Sequence, residues 1–391
     1  MKRILTFCAA LLLSLTLLTA KEPTFKYGPW IQSVTETGFS VLFRTSIDVM
    51  AWVEVAPDDG TPFEAESRRC YYQTVAGRRY CGKKHCVKVT GLEPGKTYRY
   101  RICRQKMLDA EIDHLIQYSP ALVQYVGKQS VFRMKTLDKG AKQCKFTMVN
   151  DIHQRADLYK SLMNGVKPTD YDFLLLNGDI VNSTRSIDTS IKYTFEPVRN
   201  LTANMPVVFA RGNHESRGMD WKYTPEVFPT PTGEFYFTFR QGPVAFVVLD
   251  AGEDKPDTAV EYSGHAMFGP YREAELDWLK EVVKDPAFTS APFKVCIMHI
   301  PAIGDKWAWY AQKWVSEHFL PVLNEAGFDL MLSGHIHEYI FRDKGTCNNS
   351  FPIICNDDEE RLDACISPDK GIDLRFFNAK GEQVRTLNFR K

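Results

Sequence analysis

Phe173-Leu-Leu-Leu-Asn177-Gly178-Asp179-Ile-Val-Asn182 decides how the chain is read: a short apolar run, then a glycine and a carboxylate. The pattern recurs. Phe146–Val149 leads into Asp151-Ile-His153, and Val207–Phe209 leads into Gly212-Asn213-His214-Glu215. Phe293–Met298 leads into His299, and Leu330–Leu332 into Gly334-His335-Ile-His337. Short apolar strands alternating with amphipathic stretches are the grammar of a layered α/β domain. Residues at the carboxyl ends of strands in such a fold project into a shared crevice. Five of the nine histidines fall in these segments. One His-x-His pair arises easily by accident, whereas five ligand-bearing strand ends in one chain do not.

Carboxylate, imidazole and amide oxygen, with no cysteine among them, suit zinc, manganese, iron or similar ions. Two ions held roughly 3.5–4 Å apart need a bridging ligand and can clamp the attacking and leaving oxygens of an in-line displacement. Asp179, a lone carboxylate between two sets of ligand groups, is the candidate bridge.

Around this core, Phe235–Phe239 and Val244–Leu249 read as a hairpin through Gln241-Gly242. Tyr271–Lys284 and Trp307–Glu325 read as helices, the second containing Pro321. Ile372–Phe377 and Gln383–Phe389 flank Asn378-Ala-Lys-Gly381 as a further hairpin. Upstream, residues 25–136 are all-β, with period-2 alternation in Gly38–Arg44 and Ala51–Val55. Leu92-Glu-Pro-Gly-Lys-Thr-Tyr98 resembles the corner of fibronectin type III sandwiches, where a tyrosine hydroxyl bonds back to the backbone. Residues 104–130 read as an irregular insertion, and Leu137–Lys142 as a linker.

Residues 1–20 have the form of an export signal: Lys2 and Arg3, an apolar run from Ile4 to Leu18, then Ala20. The expectation is export to the periplasm or beyond, with no transmembrane anchor after cleavage. Nine of the ten cysteines would remain, and an oxidising compartment permits disulfides among them. Across 391 residues, 49 basic side chains face 48 acidic ones. So even a balance gives no bulk reason to expect a nucleic-acid or membrane-surface partner. Neither G-x-G-x-x-G nor G-x-S-x-G occurs, which removes the dinucleotide loop and weakens a serine-esterase reading. His85, His114, His265 and His318 stand alone.

The order D-x-H, G-D, G-N-H-E, H, G-H-x-H resembles that of the calcineurin-like metallophosphoesterases, and with a β-domain in front the layout is similar to purple acid phosphatases. The resemblance implies an α/β fold, a layered β-sandwich flanked by helices over 143–342, preceded by the all-β fibronectin-like domain and followed by a β extension over 343–391. It implies two divalent or mixed-valence metal ions. Asp151, His153 and His337 would bind one, Asn213, His299 and His335 the other, and Asp179 both. His214 would assist the leaving group while metal-bound hydroxide attacks the phosphorus of a phosphate ester. The same core serves monoesters and diesters.

Purple acid phosphatases carry G-D-x-x-Y where this chain has Asn182, and their first motif lacks the histidine found here at His153. One ligand is lost and another gained at the same metal. Asn182 would instead lie near the leaving group. Arg211 has two readings: it holds the phosphate, or it only fixes its loop. Trp307 and Trp309 either stack on a substrate ring or pack as the start of a helix. The contrasting functional class is a non-catalytic envelope protein that recognises phosphate or glycan.

Overall fold

The computed structural model describes residues 24–64, 68–112 and 115–390. The expected signal segment lies outside the described residues. The N-terminal part is all-β and built around one long strand, Phe39–Pro57, that changes partners half-way. Its first half runs antiparallel between Phe25–Gln32 and Cys81–Val89. Its second half runs between Arg69–Tyr72 and Thr97–Ile112, and Phe132–Lys135 closes the far side. Alternate side chains point inward from pleated strands, so Val41, Phe43, Val53, Tyr100 and Phe132 form one core. At the corner the Tyr98 hydroxyl accepts a hydrogen bond from the Glu93 N–H at 3.0 Å, above buried Leu92.

The stretch from 104 onward is more regular than expected. Thr97–Ile112 continues as a strand, and Leu115–Tyr118 and Leu122–Val123 pair back onto it. The polar run Arg104-Gln105-Lys106 hid this, because edge pairing uses backbone groups rather than an apolar face.

The remainder is two six-stranded sheets packed face to face. The first runs Val207–Ala210, Phe173–Asn177, Cys144–Val149, Glu360–Ser367, Gly371–Asn378, Gln383–Phe389; the second runs Phe237–Gln241, Val244–Leu249, Phe293–Met298, Leu330–Ser333, Ile353–Cys355, Ile340–Arg342. Phe146, Phe173, Phe246, Val295, Leu332 and Leu374 fill the space between them. Ala156–Leu162 and Ile187–Phe195 pack on the outer face of the first sheet. Phe268–Val282 and Tyr310–Glu325, with Pro321 inside it, pack on that of the second. Parallel strands covered on both faces must be apolar throughout, which is why Phe173–Leu176 and Val244–Leu249 show no alternation.

Two stretches are tied in more closely than their sequence announces. Glu360–Ser367, within the stretch read as an extension, pairs antiparallel with Cys144–Val149 and lies in the middle of the first sheet. Leu137–Lys142 is fastened rather than free: the Asp138 N–H donates to Gln241 Oε1, and its carbonyl accepts from the Gly242 N–H. The nine described cysteines are free thiols, so neither cluster forms a disulfide among the described residues. No described helix is long and apolar enough to cross a membrane.

Candidate metal centre

The five strand ends meet. Asp151 Oδ1 lies 3.5 Å from His337 Nε2 and 3.8 Å from His153 Nε2, and the two imidazole Nε2 atoms are 3.4 Å apart. Beside them, Asp179 Oδ2 is 3.2 Å from His299 Nε2, and His335 completes that group. Asn213 Oδ1 lies 3.1 Å from His335 Nδ1. Asp179 Oδ2 is also 3.9 Å from His153 Nε2, so this carboxylate stands between the two groups. All seven positions singled out as ligands are therefore within one cluster.

The backbone is bent to make this possible. Asp151, His153, Asp179, His335 and His337 all have φ between 48 and 73°. Non-glycine residues rarely adopt that left-handed region, and each costs of order 1–3 kcal/mol. Packing elsewhere must supply that energy. Two glycines clear the space: a Cβ on Gly212 would lie 2.1 Å from Asp179 Oδ1, and one on Gly334 would lie 2.5 Å from Asp151 Oδ2.

Three of the candidate ligands, Asp151, His299 and His337, are aimed by a second contact. Asp151 Oδ2 accepts from Asn150 Nδ2 and the His335 N–H, both at 2.8 Å. His299 Nδ1 faces the Asn177 carbonyl at 2.7 Å, which turns Nε2 toward the carboxylates. His337 Nδ1 meets Asp358 Oδ2 at 3.1 Å, and Arg155 holds that carboxylate from the other side at 2.8 Å. Glu215 is buried and accepts from the N–H groups of Asp179, Ile180 and Gly212, clamping the two loops together.

The donor set suits metal ions. Asp151 Oδ1 and His299 Nε2 are buried without hydrogen-bond partners, and both face the cluster. Leaving such atoms unpaired costs a few kcal/mol each unless something positive binds them. Burial pushes His153 down to about 4 and, with the charge on His299, His335 down to about 3. Both imidazoles are thus neutral near pH 7, the form that ligates metal. Burial would also lower His299, but the Asp179 and Asp151 carboxylates overcome it and raise this group to about 10. Burial favours the neutral form of Asp179 as well; His299 and then His214 outweigh it and hold the carboxyl below its usual range.

His214 stands against the cluster, close enough to His153 and Asp179 that those three could also hold an ion. Its Nδ1 lies 2.7 Å from the Asn182 carbonyl, and its Nε2 is 3.8 Å from Asp179 Oδ2. Asn182 acts on it through the main chain, while its own amide points to Gln154 Oε1 at 3.4 Å. Arg217 Nη1 lies 2.9 Å from His214 Nε2, and Glu253 grips the same guanidinium with two contacts of 2.7 Å.

The contacts of Arg211 fit the loop-fixing one of its two readings. Its guanidinium is buried 2.6 Å from Asp250 Oδ2 and stacks over Phe235. The reason is local: Asp250 ends the strand Val244–Leu249 fully buried, and a buried carboxylate requires a counter-charge. Glu215, Arg217 and Asp358 were not singled out from the sequence. The first two lie within or beside G-N-H-E and could have been suspected from it. Asp358 follows His337 by 21 residues and carries no local signal.

Residues 144–339 match the family model described as calcineurin-like phosphoesterase. The chain belongs to the calcineurin-like phosphoesterases. Among characterised relatives it is 23% identical to purple acid phosphatase 23 of Arabidopsis thaliana, over 65% of this chain and 57% of that protein. It is 26% identical to the serine/threonine-protein phosphatase CPPED1 of Danio rerio, over 46% of this chain and 58% of that one. The chain thus spans less than two thirds of either relative. A solved structure of GAP50, the anchor in the inner membrane complex of Plasmodium, is similar with a TM-score of 0.47 and 15% identity, over 64% of this chain and 90% of that one.

Proposed function

We propose that this chain is an exported phosphoesterase with two metal ions, and the observation that carries the reading is the gathering of seven candidate ligands in one cluster with Asp179 between its two halves. Asp151, His153 and His337 would hold one ion, Asn213, His299 and His335 the other, with Asp179 reaching both. When bound, a pair of divalent ions supplies a nucleophile at neutral pH and neutralises charge on the phosphoryl oxygens. The protein's own groups do the rest. His214 gives its Nδ1–H to the Asn182 carbonyl and accepts from Arg217 at Nε2, so it would donate to the leaving oxygen only after Nε2 takes up a proton and parts from Arg217. Arg217, anchored by buried Glu253, places a permanent positive charge beside His214, where the transition state gathers negative charge. The export reading rests on the Lys2-Arg3 start and the apolar run that follows.

Metal content and kinetics of two variants test this. Asp179→Ala is expected to lose metal and activity together. His214→Ala should keep its metal and lose about 10²–10⁴ in kcat on alkyl phosphates, and less on nitrophenyl phosphate, whose leaving group needs little help. A His214→Ala protein that loses metal, or slows equally on both, would contradict the assignment. Wild-type protein that binds metal and phosphate yet cleaves no ester would instead favour the binding-protein class.

A further inference from the structure

On the far side of Arg217 from the metal ligands is a cavity of about 680 Å³, a size typical of small-molecule sites. Phe235, Tyr262, Phe268 and Tyr271 contribute to its walls, and Trp221 and Met267 stand at its rim. The rim is unusually apolar for a surface: Trp221 is 53% and Met267 70% exposed, and Met219 and Val260 close by in sequence are 80% and 86% exposed. Apolar side chains left in water together, rather than singly, mark a place where something binds. Arg217 ties the cavity to the metal centre: it lines the cavity and also contacts His214 Nε2 at 2.9 Å. His214 Nε2 in turn is 3.8 Å from Asp179 Oδ2. Two contacts thus separate the central carboxylate from an aromatic-walled pocket.

Resting on the phosphoesterase reading above, we propose that this pocket receives the leaving-group half of the substrate, and that this half carries an aromatic ring. The direction follows from His214: the group that protonates the leaving oxygen must lie next to whatever that oxygen is attached to. Flat faces on Trp221 and Tyr262 offer stacking partners for a ring. The charged lining argues against a long hydrocarbon chain, since Glu234 and Glu261 stand among the lining residues and Tyr262 is tied to Glu253 at 3.2 Å. A second, smaller cavity of about 290 Å³, with Trp307 and Trp309, adjoins His335 on the other flank of the cluster. It neighbours a ligand rather than His214, so it is the wrong side for a departing alcohol.

Benzyl phosphate and ethyl phosphate provide the test, since both release alkoxides of similar basicity and differ mainly in the ring. The metal-loaded wild type is expected to prefer benzyl phosphate by roughly tenfold or more in kcat/KM, the scale on which an apolar pocket discriminates. Trp221→Ala, at a half-exposed position where folding is little affected, should collapse that ratio toward one, mainly through KM. Benzylphosphonate and methylphosphonate, whose binding is read by calorimetry without turnover, should show the same preference and the same loss. Equal kcat/KM for the two esters in the wild type would overturn the pocket while leaving the phosphoesterase reading intact. So would a preference that survives Trp221→Ala and disappears in Trp307→Ala. If neither ester is cleaved but benzylphosphonate still binds selectively through Trp221, the pocket stands and the catalytic reading falls. Phosphotyrosine preferred over phosphoserine by the same margin, with the same Trp221 dependence, would identify a protein-borne ring as the source.

Discussion

Arg211 and Arg217 flank the same G-N-H-E loop and face different partners. Arg211 is neutralised by Asp250 inside the protein, with Glu275 buried nearby. Arg217, about a third exposed, is held by Glu253 and reaches the edge of the metal centre. Their substitutions should therefore fail differently. Arg211→Met leaves a buried carboxylate unpaired and is expected to cost about 3–5 kcal/mol in urea denaturation. Arg217→Lys keeps a charge for Glu253 but loses the planar fork that reaches His214. It should fold, retain metal and lose roughly 10- to 100-fold in kcat/KM. Unchanged kcat/KM in Arg217→Lys would remove this residue from the proposed site. The sequence brought both arginines to notice only as neighbours of a motif. Which one meets solvent depends on where Asp250 and Glu253 stand, and both belong to the other sheet's side of the fold.

At the scale of elements, the strand-end pattern was fully legible. Each apolar run is long enough to be a buried strand, and the ligand residues follow directly. What the pattern could not announce was Glu360–Ser367. Its sequence, Glu-Arg-Leu-Asp-Ala-Cys-Ile-Ser, mixes charge with apolar residues because one face meets the inter-sheet core while Arg361 and Asp363 pair with each other. The turn before this strand carries Asp358, which binds His337 and Arg155. His337 is 46% exposed; its ring stacks on that of His153, and Asp358 holds its Nδ1 side. A carboxylate behind a ligating histidine typically contributes 10–100-fold to metal affinity. Asp358→Ala is expected to weaken metal binding by about that factor, read by competition with a chelator, with little change in folding. Metal affinity equal to wild type would show that the His337 ring is held without Asp358.

For the whole molecule, the N-terminal all-β part is joined to the calcineurin-like part by buried contacts. Trp30 is fully buried, stacks on Phe195 with ring centroids 4.6 Å apart, and donates its indole N–H to the Val227 carbonyl. The Tyr100 hydroxyl donates to the Ala203 carbonyl at 2.6 Å. Trp30→Ala opens a cavity at this junction and is expected to cost about 3–5 kcal/mol. Limited proteolysis should then cut near Leu137–Lys142, which the wild type protects by its bonds to the Gln241-Gly242 turn. Resistance equal to wild type would mean that the two parts are held together elsewhere. The amino-acid sequence by itself determined the layered core, the five strand ends and the residue types that gather at them, because burial on two faces and ligand chemistry are written locally. Only the tertiary structure decided which strand completes the first sheet, which arginine is exposed, what orients His337, and that an aromatic pocket adjoins Arg217. Each of these depends on residues distant in the chain that meet only when the two sheets close, and no local pattern encodes the position of a partner on another strand.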